Sequence, residues 1–232
     1  MSTRLVLLHS PLLGPLSWRA VAGALAAQGR KVEAPAWPRL STLGEDCYAA
    51  LANSMGATLA AGGPAVVVAH SGAGALVPAV AALAKGALRG VIFCDAILPH
   101  PGLSWFDTAP PQLASQLRGG ADAGRLPSWD RWWPPGALER LVPDFSQRTA
   151  LIDELEPIPI GYFEELAPEL PLSAPAAYLQ LSGAYIEEAQ IAGRKGWPVV
   201  RLPLHHLAML THPDAVANAI QGLAARLEPA DG

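Results

Sequence analysis

Val66-Val67-Val68-Ala69-His70-Ser71-Gly72-Ala73-Gly74 is an apolar run that breaks into a turn of small residues around one serine, and an alanine-rich helical stretch follows at once. A strand covered on both faces reads as near-continuous apolar residues. A turn this sharp, from strand straight into helix, needs small residues beside the serine so that the two backbones can close up. Ala69 and Ala73 hold the flanking positions where glycine is usual, and Gly72 and Gly74 add slack. Such an elbow presents Ser71 for nucleophilic attack. The plainer reading is a glycine-rich turn with an incidental serine, and the rest of the chain argues against it.

Outward from the elbow, apolar runs alternate with helical patterns, which predicts a parallel sheet with helices on both faces. Strands are expected at about 4–9, 31–36, 65–70, 89–94, 176–182 and 198–203, giving a six-stranded α/β fold. Helices are expected from Leu16 to Gln28, from a capping box at Thr42-Leu43-Gly44-Glu45 to about Ala61, from Gly72 to Lys85, from Ile186 to Arg194, and from Pro213 to about Leu227. One region breaks the alternation. Between Pro99 and Pro175 no strand-like run appears, only proline, tryptophan and short amphipathic pieces such as Ser128-Trp129-Asp130-Arg131-Trp132-Trp133-Pro134-Pro135. A connection that long has structure or a role of its own. The chain therefore divides into a core, 1–98 with 176–232, and a helical lid or cap, 99–175.

The bulk numbers bound the class. The chain has 232 residues, 51% of them hydrophobic and 16% charged, so a large core is expected and disorder is not. A net charge of −4 argues against a nucleic-acid partner. Cys47 and Cys94 both fall in apolar segments, which predicts buried free thiols instead of a disulfide or metal pair. The apolar run at the N-terminus is too short for a signal peptide, and no stretch reaches the ~18 apolar residues of a membrane span. These readings point to a cytoplasmic enzyme without metal or cofactor that acts on a small molecule.

A serine hydroxyl is a poor nucleophile without a base. The candidate base lies in Leu204-His205-His206-Leu207-Ala208-Met209, between the last predicted strand and the last helix. A histidine there can swing back over the sheet edge. His206 is preferred to its neighbour His205, and His100 and His212 are read as structural.

Together Leu7-Leu8-His9-Ser10-Pro11, Ala69-His70-Ser71-Gly72-Ala73-Gly74 and His206-Leu207-Ala208-Met209-Leu210 with Pro213 beyond resemble the α/β-hydrolase superfamily, in that family's order. The resemblance implies Ser71 as nucleophile, His206 as base and the Gly72 N–H as one oxyanion donor. It also implies that the family's first two strands are missing and that the lid sits where residues 99–175 fall. Two departures stand out. The place after the post-lid strand, where many members carry aspartate, reads Leu181-Ser182-Gly183-Ala184-Tyr185, with no carboxylate. Asp95, at the carboxyl end of the strand before the lid, is the preferred acid, with Glu187 or Glu188, or no acid at all, as alternatives. The second oxyanion donor should follow His9-Ser10, but Pro11 has no N–H to give, which leaves the Ser10 hydroxyl, the Leu12 N–H or no second donor. His9 and the lid tryptophans Trp105, Trp129, Trp132 and Trp133 are expected to line the substrate pocket. The function implied is hydrolysis of a small-to-medium, largely apolar ester or related acyl substrate. A hydroxyl at position 10 also resembles the hydroxynitrile lyases of the superfamily, so a lyase, decarboxylating or cyclising enzyme is the alternative, and a ligand-binding protein with a silent triad is another.

Overall fold

The computed structural model describes residues 3–44 and 46–228. The chain begins with β1 (Arg4–Leu8), α1 (Leu16–Ala27), β2 (Val32–Glu33), α2 (Cys47–Gly62), β3 (Ala65–His70), α3 (Ala73–Leu83) and β4 (Leu88–Cys94). The long connection follows, with α4 (Trp105–Thr108), α5 (Pro111–Gly120), β5 (Arg125–Leu126), α6 (Ala137–Leu141), α7 (Phe145–Asp153), β6 (Ile158–Pro159) and α8 (Gly161–Glu164). The chain then closes through β7 (Ala176–Gln180), α9 (Ile186–Arg194), β8 (Val199–Arg201), α10 (Ala208–Thr211) and α11 (Pro213–Leu227).

Six strands make one sheet in the order β2-β1-β3-β4-β7-β8, parallel throughout. Every residue of β1, β3 and β7 is buried, as their unbroken apolar runs require when both faces are covered. On one face α1 packs against α10 and α11, and α2 packs against α3 elsewhere. From β1 the chain goes outward to β2, whereas from β3 it goes the other way to β4. The two connections diverge at the carboxyl ends of β1 and β3. That switch point opens a crevice where α/β folds bind ligands.

The strands are shorter than the apolar runs suggested, for local reasons. β2 stops at Glu33, because Pro35 and Pro38 have no N–H for a ladder. β8 is bracketed by Pro198 and Pro203. β7 stops at Gln180 because the next two backbone N–H groups turn to a carboxylate, described below. The expected capping box does not open α2. Leu40–Thr42 form a 3₁₀ turn, the helix starts at Cys47, and Glu45 lies outside the described residues. The connection between β4 and β7 is not free of strand either: Arg125–Leu126 pairs antiparallel with Ile158–Pro159. Two residues a side are too few to show an alternating pattern.

Three carboxylates fasten that connection to the sheet domain. Glu154 accepts from the Leu16 N–H at the start of α1, at 3.1 Å, and a Cβ on Gly14 would collide with it. Glu165 accepts from the Tyr48 N–H at the start of α2, at 3.1 Å from either oxygen. Neither helix has a side-chain cap of its own, so each carboxylate meets open donors at the positive end of a helix dipole. Glu156 pairs with Arg39 and the Ser41 hydroxyl.

Candidate active site

Register alone brings two of the expected residues together. His70 of β3 pairs with Cys94 of β4, so the next residues, Ser71 and Asp95, leave the sheet side by side. Both sit at positive φ, 55° and 44°, where a non-glycine residue is strained. The Ser71 N–H reaches back to the Cys94 carbonyl at 3.4 Å, and the Ser71 carbonyl accepts from the Gly74 and Ile97 N–H groups. A Cβ on Gly74 would strike the Ile97 carbonyl, so the elbow needs glycine there, whereas a Cβ on Gly72 would meet only ordinary contacts.

Asp95 is fully buried. Its Oδ1 accepts from the Leu181 and Ser182 N–H groups at 2.8 and 2.9 Å. Its Oδ2 accepts from the Ser182 hydroxyl at 2.6 Å and from His206 Nδ1 at 2.8 Å. Burial pushes this carboxyl up, but the bonds from His206, Ser182 and the Leu181 N–H outweigh it and hold the group below the ordinary aspartate value. The carboxylate on the imidazole is therefore Asp95. Glu187 and Glu188 lie on the first turn of α9, and neither is bonded to His206. His205 points elsewhere, with Nε2 at 2.8 Å from the Thr211 hydroxyl.

Two aromatic rings hold the His206 imidazole between them. His70 lies at 4.5 Å between centroids, and Tyr185 stacks on it at 5.1 Å with 10° between the planes. His70 also donates from Nε2 to the His206 carbonyl at 3.0 Å, which ties the histidine loop to the strand before the elbow. Burial, then the neighbouring His206, keeps His70 far below the ordinary histidine value, so it stays neutral. The hydrogen bond found for Ser71 Oγ is to the Tyr185 hydroxyl, at 3.4 Å; among the described residues Ser71 and His206 do not bond to each other. Sequence reasoning had passed over Ser182, Tyr185 and the role of His70. Ser182 and Tyr185 sit where the family's usual acid would be, and a hydroxyl there gives no sign in the sequence of bonding a carboxylate or a serine.

The turn after β1 corrects one expectation. His9 is buried, with Nδ1 at 2.7 Å from the Ser10 carbonyl and Nε2 receiving the Trp37 N–H at 3.4 Å. Both ring nitrogens are engaged inside the turn, where His9 shapes the Ser10 corner and borders a cavity together with Pro11, Leu13 and Trp37, and burial pushes its pKa down to about 4. Leu12 is not a free donor, because its N–H bonds to Ser10 Oγ at 3.3 Å. The Ser10 hydroxyl does face the elbow: a Cβ built on Gly72 would lie 3.6 Å from it.

Trp105 and Trp132 pack on Phe163, Trp129 packs on Trp133, and Trp133 is largely exposed. The residue that reaches the elbow from this connection is Tyr162, whose hydroxyl would lie 3.7 Å from the same Gly72 Cβ. Cys47 and Cys94 are buried free thiols, as read from the sequence. Among the described residues no cluster of three or more His, Cys, Asp or Glu side chains is arranged for a metal ion, and no helix is long and apolar enough to cross a membrane.

A sequence model described as the alpha/beta hydrolase family matches residues 5–219, and the chain belongs to that family. No curated protein sequence is significantly similar to it. Among solved structures, a pyrethroid hydrolase from Sphingobium faniae JZ-2 is similar at TM-score 0.75 and 21% identity, over 96% of this chain and 97% of that one. An extracellular alpha/beta-hydrolase from a Paenibacillus species matches at 0.74 and 18%, over 96% and 99%. Tomato methylketone synthase I, as a variant complexed with beta-ketoheptanoate, matches at 0.73 and 16%, over 98% and 100%. At these identities the likeness is one of fold.

Proposed function

We propose that the chain is a cofactor-independent serine hydrolase acting on a small-to-medium, largely apolar ester or related acyl compound. The observation that carries this reading is the 2.8 Å bond from a buried, ionised Asp95 to His206 Nδ1, beside a serine on a strained elbow. With Nδ1–H donating to Asp95, the other ring nitrogen is left as an acceptor. Ser71 exchanges its Tyr185 partner for that nitrogen. Ser71 Oγ then bonds the carbonyl carbon, its proton passes to His206 Nε2, and the carbonyl π pair moves onto oxygen. Collapse expels the alkoxide, which takes the proton from His206. Water repeats the sequence, releasing the acid and restoring Ser71. The connection between β4 and β7 acts as the lid, and its apolar inner face suits an apolar acyl or alcohol part. Two buried free thiols fit a reducing compartment such as the cytoplasm.

A second reading, a non-hydrolytic enzyme on the same scaffold, draws on one observation: Ser71 rests on Tyr185 and not on His206. A structural neighbour is a methylketone synthase seen with beta-ketoheptanoate. Treatment with a fluorophosphonate and assay with short p-nitrophenyl esters separates the cases. Labelling at Ser71 with ester turnover supports the hydrolase. Labelling without turnover supports the second reading, and no labelling leaves a binding protein with a silent triad.

A further inference from the structure

Acyl transfer from Ser71 puts a negative charge on the former carbonyl oxygen, and one backbone donor is not enough to hold it. The Gly72 N–H is one donor. The turn after β1, the natural source of a second, supplies no backbone donor: Pro11 has no N–H, and the Leu12 N–H is bonded to Ser10 Oγ at 3.3 Å. Around the outward side of Gly72 three atoms converge. A Cβ built there would lie 3.6 Å from Ser10 Oγ, 3.6 Å from Pro11 Cδ and 3.7 Å from the Tyr162 hydroxyl. Two of the three are hydroxyls. Ser10 Oγ already accepts from Leu12, so its own proton is left to point outward. Tyr162 is 4% exposed, yet no hydrogen bond to its hydroxyl is found among the described residues.

We propose that the Tyr162 hydroxyl, carried to the elbow by α8, is a catalytic oxyanion donor that acts with the Gly72 N–H and the Ser10 hydroxyl. This rests on the serine-hydrolase reading above. Tyr162 makes no covalent bond. As Ser71 Oγ bonds to carbon and its proton goes to His206, the π pair becomes the oxyanion lone pair, and Tyr162 donates a hydrogen bond to it while keeping its proton. Burial holds the phenol far above the ordinary tyrosine value, so that proton is in place throughout the working pH range. The ring is held for the task. It stacks on Tyr48 at 6.0 Å and 23°, meets Phe163 edge-on at 5.1 Å, and the neighbouring Glu165 is bonded to the Tyr48 N–H. One of the donors beyond Gly72 thus comes from the lid, which makes catalysis depend on the lid being seated, whereas a backbone donor would belong to the sheet itself.

The test is Tyr162→Phe, which keeps the ring and removes one oxygen. Active sites are counted by the end-point stoichiometry of fluorophosphonate labelling, so any unfolded fraction leaves the count and rates are expressed per competent site. The expected result is a fall in kcat of ~10²-fold with KM changed less than about threefold, because the bond forms only as charge develops. Affinity for an aryl trifluoromethyl ketone, which captures Ser71 as an oxyanion, should fall by the same factor. A loss below about tenfold in both quantities overturns the proposal. Wild-type protein that neither labels nor turns over esters would instead overturn the Ser71 reading beneath it, so the two failures are told apart.

Discussion

Replacing Asp95 by asparagine tests the site through a group whose four hydrogen bonds dictate how the new side chain must sit. Two backbone donors, Leu181 N–H and Ser182 N–H, point at Oδ1 and cannot rotate away. The amide oxygen must take that place, which puts the NH₂ group where Oδ2 met the Ser182 hydroxyl and His206. The serine hydroxyl can turn and accept. The imidazole can bond to the NH₂ group only by presenting an unprotonated Nδ1, which leaves the proton on Nε2. That is the tautomer that cannot take a proton from Ser71. Loss of a triad aspartate in this manner costs ~10⁴ in kcat, or about 5.4 kcal/mol of barrier.

Folding should survive. The shape is kept, the two backbone bonds remain and the other two re-form in the reverse direction without a charged acceptor, so the loss is about 1–3 kcal/mol, a few degrees in a domain of this size. The sign with pH follows from the depressed carboxyl. Its folded value lies below the unfolded ~3.9, so its stabilisation is present above that pH and lost as pH falls through the folded value. Asp95→Asn should lack that acid limb. The assays are p-nitrophenyl butyrate turnover at neutral pH and thermal unfolding between about pH 3 and 7. A folded variant keeping more than a tenth of wild-type kcat would remove Asp95 from the mechanism, and the reasoning from its four bonds would be wrong.

Ser71→Ala should abolish ester turnover with an unchanged melting temperature, and His206→Ala should cost about as much, since such groups act as a unit. His205→Ala, whose ring is engaged with Thr211, should keep activity within about tenfold; the reverse order in steady-state assays would move the base by one residue. Tyr185→Phe keeps the ring stacked on His206 and frees Ser71 from its present partner. Its kcat/KM should equal or modestly exceed wild type, and a hundredfold loss would make that hydroxyl part of the chemistry. His9, pushed down to about 4 by burial, is neutral when folded and binds a proton near ~6.5 when unfolded. His9 should therefore contribute a loss of about 3 kcal/mol between pH 6.5 and 4, on top of that from buried His70, and His9→Gln should make that limb shallower in urea unfolding without removing it; identical slopes in the two proteins would contradict it.

The residues that could be read from the sequence share one property: each lies in the segment that leaves the carboxyl end of a strand, Ser71 and Asp95 directly after it and His206 within five residues. Ser71 and Asp95 follow β3 and β4, and a parallel register places such successors side by side whatever the distant chain does. His206 follows β8 on a loop that must cross the same edge. For these, local pattern and sheet geometry suffice. Tyr162 obeys no such rule. Its hydroxyl meets Gly72 because Glu165 docks on α2 and Glu154 on α1, contacts spanning 117 and 138 residues of sequence. Nothing in Ile160-Gly161-Tyr162-Phe163 distinguishes it from a packing residue. The tryptophans follow a simpler rule. Aromatic density in the connection signals burial, and burial is what they achieve, around Phe163 and against one another. A tryptophan can satisfy its indole N–H on a nearby carbonyl inside the cluster, as Trp132 does on Pro127, whereas a phenol can place its ring in the cluster and its hydroxyl at the margin. At this margin the oxygen meets the one corner of the elbow where proline has taken a donor away. The sequence feature that pointed to it was thus Pro11, a missing N–H, and the compensating group lay about 150 residues further along the chain, beyond the reach of any spacing rule.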